Sequence, residues 1–326
     1  DQGAFPMKNN EVKIAVTSRS FSENSILRKE LLQRYKNVTF NDEGVKLQGD
    51  ILVDFLKGHQ RVITALEKID NDLLTKLPEL QVVSKYGVGI DMIDIDAMQN
   101  HGIRLGWTGG VNKRSVAELV ISFAIALLRH VPAAHREVLS GVWKQHVGRH
   151  LSGCTVGIIG CGFIGKDLIR LLQPFGCRIL ANDVKSYDEF YKKYNIKAVT
   201  KEELLENSDI VTLHTPLNSS TKQMLNSERL SIMKRNAILI NIARGGLVDE
   251  IALKKMLINK KLAAAAFDVF TIEPPEDSEL INLDNFLVTP HIGGSSQEAI
   301  LAMGMAAIDG LNNNLEAKQF KYVSKY

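Results

Sequence analysis

Short apolar runs alternate along this chain with longer segments in which apolar side chains recur every three or four positions. A run short enough for a buried strand, followed by a helical pattern and repeated many times, predicts βαβ units and parallel sheets. The rhythm occurs twice. The first series places strands at Val12 to Val16, Arg61 to Thr64, Gln81 to Ser84 and Ile103 to Leu105, with helical patterns such as Asn24 to Tyr35 and Asp70 to Leu77 between them. The second begins at Thr155 to Ile159 and continues through Arg178 to Asn182, Ile210 to Leu213, Ala237 to Asn241, Ala263 to Phe267 and Phe286 to Thr289, a six-stranded doubly wound pattern. Between them Ser115 to His130 is apolar nearly all round, with Ser115 and Glu118 at capping-box spacing, and predicts a helix buried between domains or subunits. The last helical pattern, Ser295 to Leu311, has no strand after it and predicts a chain that crosses back onto the first domain.

These patterns give an α/β fold with two doubly wound parallel-sheet domains, the first of them discontinuous: residues 1–104 with 295–326, and residues 105–294. A length of 326 residues suits two domains, each able to bury a core. With 45% hydrophobic and 24% charged residues the chain is neither disordered nor collagen-like. Forty Lys and Arg against 37 Asp and Glu leave a net charge of +3, which supplies no general drive toward nucleic acid or anionic lipid. No apolar run is long enough for a membrane span, and the N-terminus has neither a basic nor an apolar targeting region, so a cytoplasmic location is expected. Cys154, Cys161 and Cys177 are odd in number and lack metal or redox spacing, which predicts a reducing compartment and no metal. Asp1 to Pro6 precede Met7 without periodicity and are read as a remnant ahead of the native start.

The second series opens with a phosphate-binding signature. Residues 155–170 read T-V-G-I-I-G-C-G-F-I-G-K-D-L-I-R, placing Gly160, Gly162 and Gly165 between a strand and an amphipathic helix. Gly160 suits the tight turn, Gly162 lets a pyrophosphate approach the backbone, and Gly165 lets helix and strand pack, so the domain is Rossmann-like. The next strand ends at Asp183, where a carboxylate would bind an adenosine ribose and repel a 2′-phosphate. NAD is favoured over NADP, with Lys185 the one cation close by. The competing reading, a tight turn without a ligand, does not account for the full order of strand, turn, helix, strand and acid.

Ligands of open parallel sheets bind outside the carboxyl ends of the strands. That edge selects Arg244 in I-N-I-A-R-G-G, Glu273 in F-D-V-F-T-I-E-P-P and His291 in T-P-H-I-G-G. A guanidinium can clamp a carboxylate, and a carboxylate beside an imidazole favours its charged form and fixes its orientation. Hydride reduction of a 2-keto acid needs a proton for the carbonyl oxygen and a partner for the acid's carboxylate, and these three residues supply both. Singly, each also reads as an ordinary surface ion pair or loop residue.

From Val12 to about Asn314 the chain resembles the D-isomer-specific 2-hydroxyacid dehydrogenases, most closely the phosphoglycerate dehydrogenase branch. The matching motifs are K-Y-G-V-G-I-D-M-I-D at 85–94, S-V-A-E-L at 115–119, G-I-I-G-C-G-F-I-G at 157–165, L-H-T-P-L at 213–217, N-I-A-R-G-G-L-V-D at 241–249, D-V-F-T-I-E-P at 268–274 and T-P-H-I-G-G at 289–294. The resemblance implies that Arg244 binds the substrate's carboxylate and carbonyl, that His291 is the acid/base and that Glu273 pairs with it. It implies substrate contact through the backbone of Val88 and Gly89, and places Asp268 at the nicotinamide carboxamide. Phe163, Ile164, His214, Thr215, Pro216, Ala243, His291 and Gly293 join the glycines and Asp183 in the implied cofactor site. A first, substrate-binding domain hinged to a cofactor domain, and a homodimer through the cofactor domains, are implied as well; the helix 115–130 and Trp143 are the candidates for that contact.

The departures from the family pattern are informative. W-T-G-G at 107–110 stands where the family has N-x-P-G, which is expected to alter the hinge or the dimer edge rather than the chemistry. V-I-T-A-L-E at 62–67 stands where phosphoglycerate-specific members carry an Arg-Ser pair, which weakens the case for a phosphorylated substrate. The chain ends at Tyr326, so the regulatory domain that gives longer relatives serine feedback is expected to be absent. Glu273 speaks against a formate dehydrogenase, whose members carry glutamine there. A catalytically silent, NAD(H)-sensing protein of the co-repressor type is the alternative reading. His59, Gln60 and Arg61 are read either as substrate-pocket lining or as a surface turn.

Overall fold

The computed structural model describes residues 9–322; the expected remnant Asp1 to Pro6 lies outside the described residues. The chain begins with β1 (Lys13–Val16), α1 (Arg19–Glu23), α2 (Ser25–Arg34), β2 (Asn37–Phe40), α3 (Gly49–Leu56), β3 (Arg61–Thr64), α4 (Asn71–Thr75), β4 (Val82–Lys85), α5 (Ile95–Asn100) and β5 (Arg104–Gly106). It continues with α6 (Lys113–Leu128), α7 (Val131–Leu139), β6 (Thr155–Ile159), α8 (Phe163–Leu172), β7 (Arg178–Asn182), α9 (Asp188–Lys193), β8 (Lys197–Ala198) and α10 (Lys201–Asn207). Then come β9 (Ile210–Leu213), α11 (Ser227–Ile232), β10 (Ile238–Asn241), α12 (Glu250–Ile258), β11 (Ala264–Phe267), α13 (Ser278–Ile281), β12 (Phe286–Val288), α14 (Gln297–Gly310) and β13 (Leu315–Glu316).

Two compact units result, one of residues up to 112 and from 296 onward, the other of residues 113–295. The expected boundary at 104/105 is corrected to 112/113, because β5 pairs in parallel with β4 and receives β13 antiparallel on its other edge, which commits both strands to the first sheet. The first sheet runs β13-β5-β4-β3-β1-β2, parallel apart from β13. Alternate residues of β1 feed opposite faces: Ala15 joins a core with Leu52, Val62, Val83 and Leu105, whereas Ile14 and Val16 join one with Phe21, Leu27 and Ala307. α14 closes that second face, and the Ser84 hydroxyl donates to the Ala307 carbonyl at 2.6 Å.

The second sheet runs β12-β11-β10-β9-β6-β7-β8, all parallel. Its inner strands β9, β10 and β11 are buried at every position, as a sheet covered on both faces requires. Helix starts follow side-chain capping: Asn24, Asp70, Asp94, Thr200, Asn226, Asp249, Asp277 and Ser296 each accept a backbone N–H of the first turn. Ser115 is not among them. α6 begins two residues earlier at Lys113, so the expected capping box is corrected to a position inside the first turn.

α6 is buried against α8, β10 and β11 within its own unit, and this packing uses much of the apolar surface that suggested a contact between domains or subunits. Among the described residues no single helix is long and apolar enough to cross a membrane; α6 and α7 together meet that length and composition but are bent by 60°.

Candidate active site

The dinucleotide signature occupies the turn from β6 into α8, on the line where the second sheet reverses its winding between β6 and β9. Gly160 has φ +93°, and a Cβ there would run into the carbonyl of His214, so the first loop residue after β9 and the glycine turn are pressed together. A Cβ on Gly165 would strike the Gly160 carbonyl. Gly162 is the N-cap of α8 and brings no capping side chain, which leaves the first-turn N–H groups to an anion. Phe163 and Ile164 form that first turn.

The Cys161 peptide is fixed at both ends: its N–H donates to Asp183 Oδ2 at 2.6 Å, and its carbonyl accepts from Lys166 Nζ at 2.6 Å. The same ammonium stands 3.1 Å from the Tyr187 ring centroid, and burial lowers its pKa. Asp183 Oδ1 accepts the Lys185 N–H at 2.8 Å, so the acid also shapes the turn after β7. Burial pushes the Cys161 thiol up to about 11, which makes it an inert wall residue.

His214, Thr215 and Pro216 follow β9. His214 Nε2 pairs with Thr212 Oγ1 at 2.8 Å, and full burial pushes the imidazole down to about 3, so it stays neutral. Its Nδ1 and the Thr215 hydroxyl are buried without a partner. Two orphaned polar atoms beside an uncapped helix start and a glycine-rich turn fit a bound dinucleotide.

Arg244, Glu273 and His291 stand on three loops at the carboxyl ends of β10, β11 and β12, and the structure packs those loops together. Asn241, at the end of β10, turns the first: its Oδ1 accepts the Ala243 N–H at 3.1 Å and its Nδ2 donates to the Arg244 carbonyl at 3.0 Å. Arg244 Nη1 donates to the Ala243 carbonyl at 2.8 Å. A Cβ on Gly245 would overlap the backbone of Phe270, so the Arg244 loop and the loop leading to Glu273 lie backbone to backbone. Glu273 Oε1 accepts the Phe270 N–H at 3.1 Å, and its Oε2 meets His291 Nδ1 at 2.9 Å. Both side chains of this pair stay substantially exposed, at 50% for His291 and 39% for Glu273, open to a substrate.

Asp268 has a task that the sequence does not announce. It is 1% exposed, and its carboxylate accepts the Thr289 hydroxyl at 2.6 Å, the Ile292 N–H at 2.7 Å and the Gly293 N–H at 2.9 Å. These bonds hold the loop on which His291 takes the left-handed conformation, φ +56°. Asn241 and Thr289 were missed in the sequence; a polar residue closing an apolar strand is the signal that marks Asn241.

In the first unit Val88 and Gly89 lie in the loop after β4. Trp107 Nε1 donates to the Val88 carbonyl at 2.9 Å and its ring packs edge-on against Phe320. The W-T-G-G departure therefore bears directly on the 86–90 loop. His59, Gln60 and Arg61 sit at the amino end of β3, the edge opposite the ligand end, which removes them from the pocket. Arg61 is buried and donates to the Leu311 carbonyl at 2.9 Å and to Asn312 Oδ1 at 2.8 Å. Among the described residues no three His, Cys, Asp or Glu side chains gather to hold a metal.

Comparison with known proteins places this geometry. Residues 121–293 match the family model for the NAD binding domain of D-isomer specific 2-hydroxyacid dehydrogenases. The chain is 39% identical over 242 residues to D-3-phosphoglycerate dehydrogenase of Bacillus subtilis (strain 168), covering 74% of this chain and 46% of that protein. It is 36% identical over 301 residues to glyoxylate reductase of Pyrococcus furiosus, covering 89% of this chain and 88% of that one. The solved structure of D-lactate dehydrogenase from Aquifex aeolicus, in complex with NAD and lactic acid, matches with a TM-score of 0.78 and 25% identity, covering 91% of this chain and 93% of that one. The chain spans about half the length of the curated phosphoglycerate dehydrogenases it matches, 46% and 50% for two of them. With the glycine cradle, the Asp183 turn and the His291–Glu273 pair in place, the chain belongs to the D-isomer specific 2-hydroxyacid dehydrogenase family and carries its NAD-binding domain.

Proposed function

We propose that this protein is an oxidoreductase that interconverts a D-2-hydroxy acid and its 2-keto acid, with NAD as cofactor. The observation that carries the reading is the imidazole–carboxylate pair of His291 and Glu273, 2.9 Å apart, on loops that pack against the Arg244 turn. When bound, NAD(H) supplies or accepts the hydride at the acid's C2. The glycine turn, the start of α8 and Asp183 would hold it, with His214, Thr215 and Pro216 lining the other side of the turn and Ala243, Asp268 and Gly293 toward the reacting end.

The chain's own residues do the rest. Glu273 accepts the Nδ1–H of His291, which fixes the orientation of the ring and leaves Nε2 for the substrate. In reduction, His291 gives its proton to the oxygen that becomes the hydroxyl; in oxidation, the neutral ring takes it back. Arg244 pairs with the substrate carboxylate, and its planar fork fixes which face of C2 is presented. In the first unit, the N–H groups of Val88 and Gly89 are the proposed backbone contacts to the acid. Asp183 argues for NAD rather than NADP, since a 2′-phosphate would meet a carboxylate whose oxygens already hold two backbone N–H groups.

A homodimer through the second unit completes the reading. α7 has no buried residue, and the segment after it exposes Leu139, Trp143 and Val147, at 75%, 82% and 93%. A cytoplasmic location accords with three free cysteines.

The test is NADH oxidation by the purified protein with a panel of 2-keto acids. Wild type turns over at least one acid, and His291→Ala loses about 10²- to 10⁴-fold in kcat. Tight NADH binding without turnover of any acid, or full activity of the variant, would defeat the assignment.

A further inference from the structure

The first sheet also has a point where its winding reverses, between β1 and β3, and ligands of such sheets enter outside the strand ends at that point. A cavity of about 780 Å³ lies there, lined by Thr17, Ser18 and Arg19 after β1 and by Ala65, Leu66 and Glu67 after β3. The turn after β3 is a backbone anion site with an anion already in it. The Ala65 N–H donates to Glu67 Oε1 at 3.2 Å and the Leu66 N–H to Glu67 Oε2 at 3.0 Å, one carboxylate oxygen for each amide. Successive amides converging in this way hold carboxylates and phosphates.

The turn is joined to the loop beside it. The buried ammonium of Lys85 donates to the Ala65 carbonyl, and the Tyr86 N–H bonds to the Thr64 carbonyl at 2.8 Å. Glu67 therefore belongs to the same hydrogen-bonded rim as the 86–90 loop. Several of the cavity's other charges have partners of their own: Arg19 with Glu23 at 2.6 Å, Lys68 with Asp70 at 3.6 Å and Lys76 with Asp50 at 3.9 Å. Lys46 and Asp72, one of each sign, complete the charged lining.

We propose that Glu67 is a specificity-determining residue: seated on the Ala65 and Leu66 amides, its carboxylate denies them to a second anionic group of the substrate and repels that group. The cavity then receives the uncharged end of a 2-keto or 2-hydroxy acid, and the substrates are monoanionic acids rather than dicarboxylates or phosphate esters. This selection rests on the dehydrogenase reading above, because it concerns the acid which that chemistry consumes.

The test compares kcat/KM with NADH for monoanionic acids (glyoxylate, hydroxypyruvate, pyruvate) and for acids with a second anionic group, called dianions for short (oxaloacetate and 2-oxoglutarate, with the still more highly charged phosphohydroxypyruvate), in full-length wild type, Glu67→Gln and Glu67→Ala. Wild type favours the monoanions. Removing the charge raises the ratio of dianion to monoanion turnover at least about tenfold, as expected for relief of one like-charge contact near a protein surface. Glutamine keeps the size of the side chain but only one acceptor for the two amides, alanine vacates both, and far-ultraviolet circular dichroism checks the fold of both variants. A wild type that already prefers dianions overturns the proposal without the variants, and so does a ratio unchanged by both substitutions. Turnover of no acid by wild type overturns the dehydrogenase reading itself, and is thereby distinguished from a failure of the charge filter.

Discussion

Replacing Asp268 by Asn probes how the acid/base loop is held. The carboxylate takes three hydrogen bonds from Thr289, Ile292 and Gly293 while almost fully buried. Asparagine keeps a carbonyl oxygen for two of these donors but turns an NH₂ toward the third, so a charge-assisted bond is lost and two donors face each other. Hydrogen bonds to charged groups contribute about 1.5–3 kcal/mol, and a buried unsatisfied donor costs about 1–3 kcal/mol, so a loss near 3 kcal/mol is expected. For a unit of this size, about 2–4 °C per kcal/mol converts that to a fall of roughly 6–12 °C in the melting of the second unit, read by differential scanning calorimetry. His291 would shift with its loop, and a displacement on the order of 1 Å costs about 10²-fold in turnover. An Asp268→Asn protein that melts within about 0.5 kcal/mol of wild type and keeps its kcat would show that other contacts hold the loop.

Three further outcomes follow from the geometry. His214 is buried neutral, with its pKa pushed down from 6.5 to about 3. The unfolded chain therefore binds a proton that the folded one refuses, and stability declines as pH falls below 6.5; His214→Gln flattens that slope in urea titrations between pH 7 and pH 4. Arg114 forks onto the buried Asp167 at 2.7 and 3.0 Å and holds its carboxyl below the ordinary range. The pair's contribution is present above that range and lost as pH falls through the lowered pKa, so Arg114→Met destabilises by about 1–2 kcal/mol at pH 7 after discounting the exposed guanidinium, and the gap to wild type closes in acid. Trp107→Phe removes the bond to the Val88 carbonyl while keeping most of the packing on Phe320; KM for the keto acid rises up to about tenfold with little change in kcat, as expected for a loss near 1 kcal/mol in a binding loop.

Much of the architecture could be read from apolar runs, because the inner strands of both sheets are buried on both faces and contain few polar interruptions. The strands that escaped are at edges or are very short: Asn37–Phe40 alternates exposed with half-buried positions, and β8 and β13 have two residues each. The edge rule for parallel sheets selected Arg244, Glu273 and His291 because each lies in the loop that leaves the carboxyl end of a strand. It could not show that Gly245 lets two loops touch backbone to backbone, or that Asp268 fastens the His291 loop, since both depend on strands adjacent in space and not in sequence. His59 to Arg61 defeated local reading for a similar reason: which end of a strand a polar turn occupies is plain only once the strand's direction in the sheet is known.

The first unit encloses its own completion. Ser84 bonds to Ala307 across 223 residues of sequence, and α14 covers the face on which Ile14, Leu27 and Ile63 are buried. On a ribosome, where the N-terminal part emerges first and synthesis runs at about 5–20 residues per second, that apolar face must wait while the whole second unit is made. The later-made Rossmann unit is thus free to fold first, and the earlier-made sheet is the stretch most in need of a chaperone during translation.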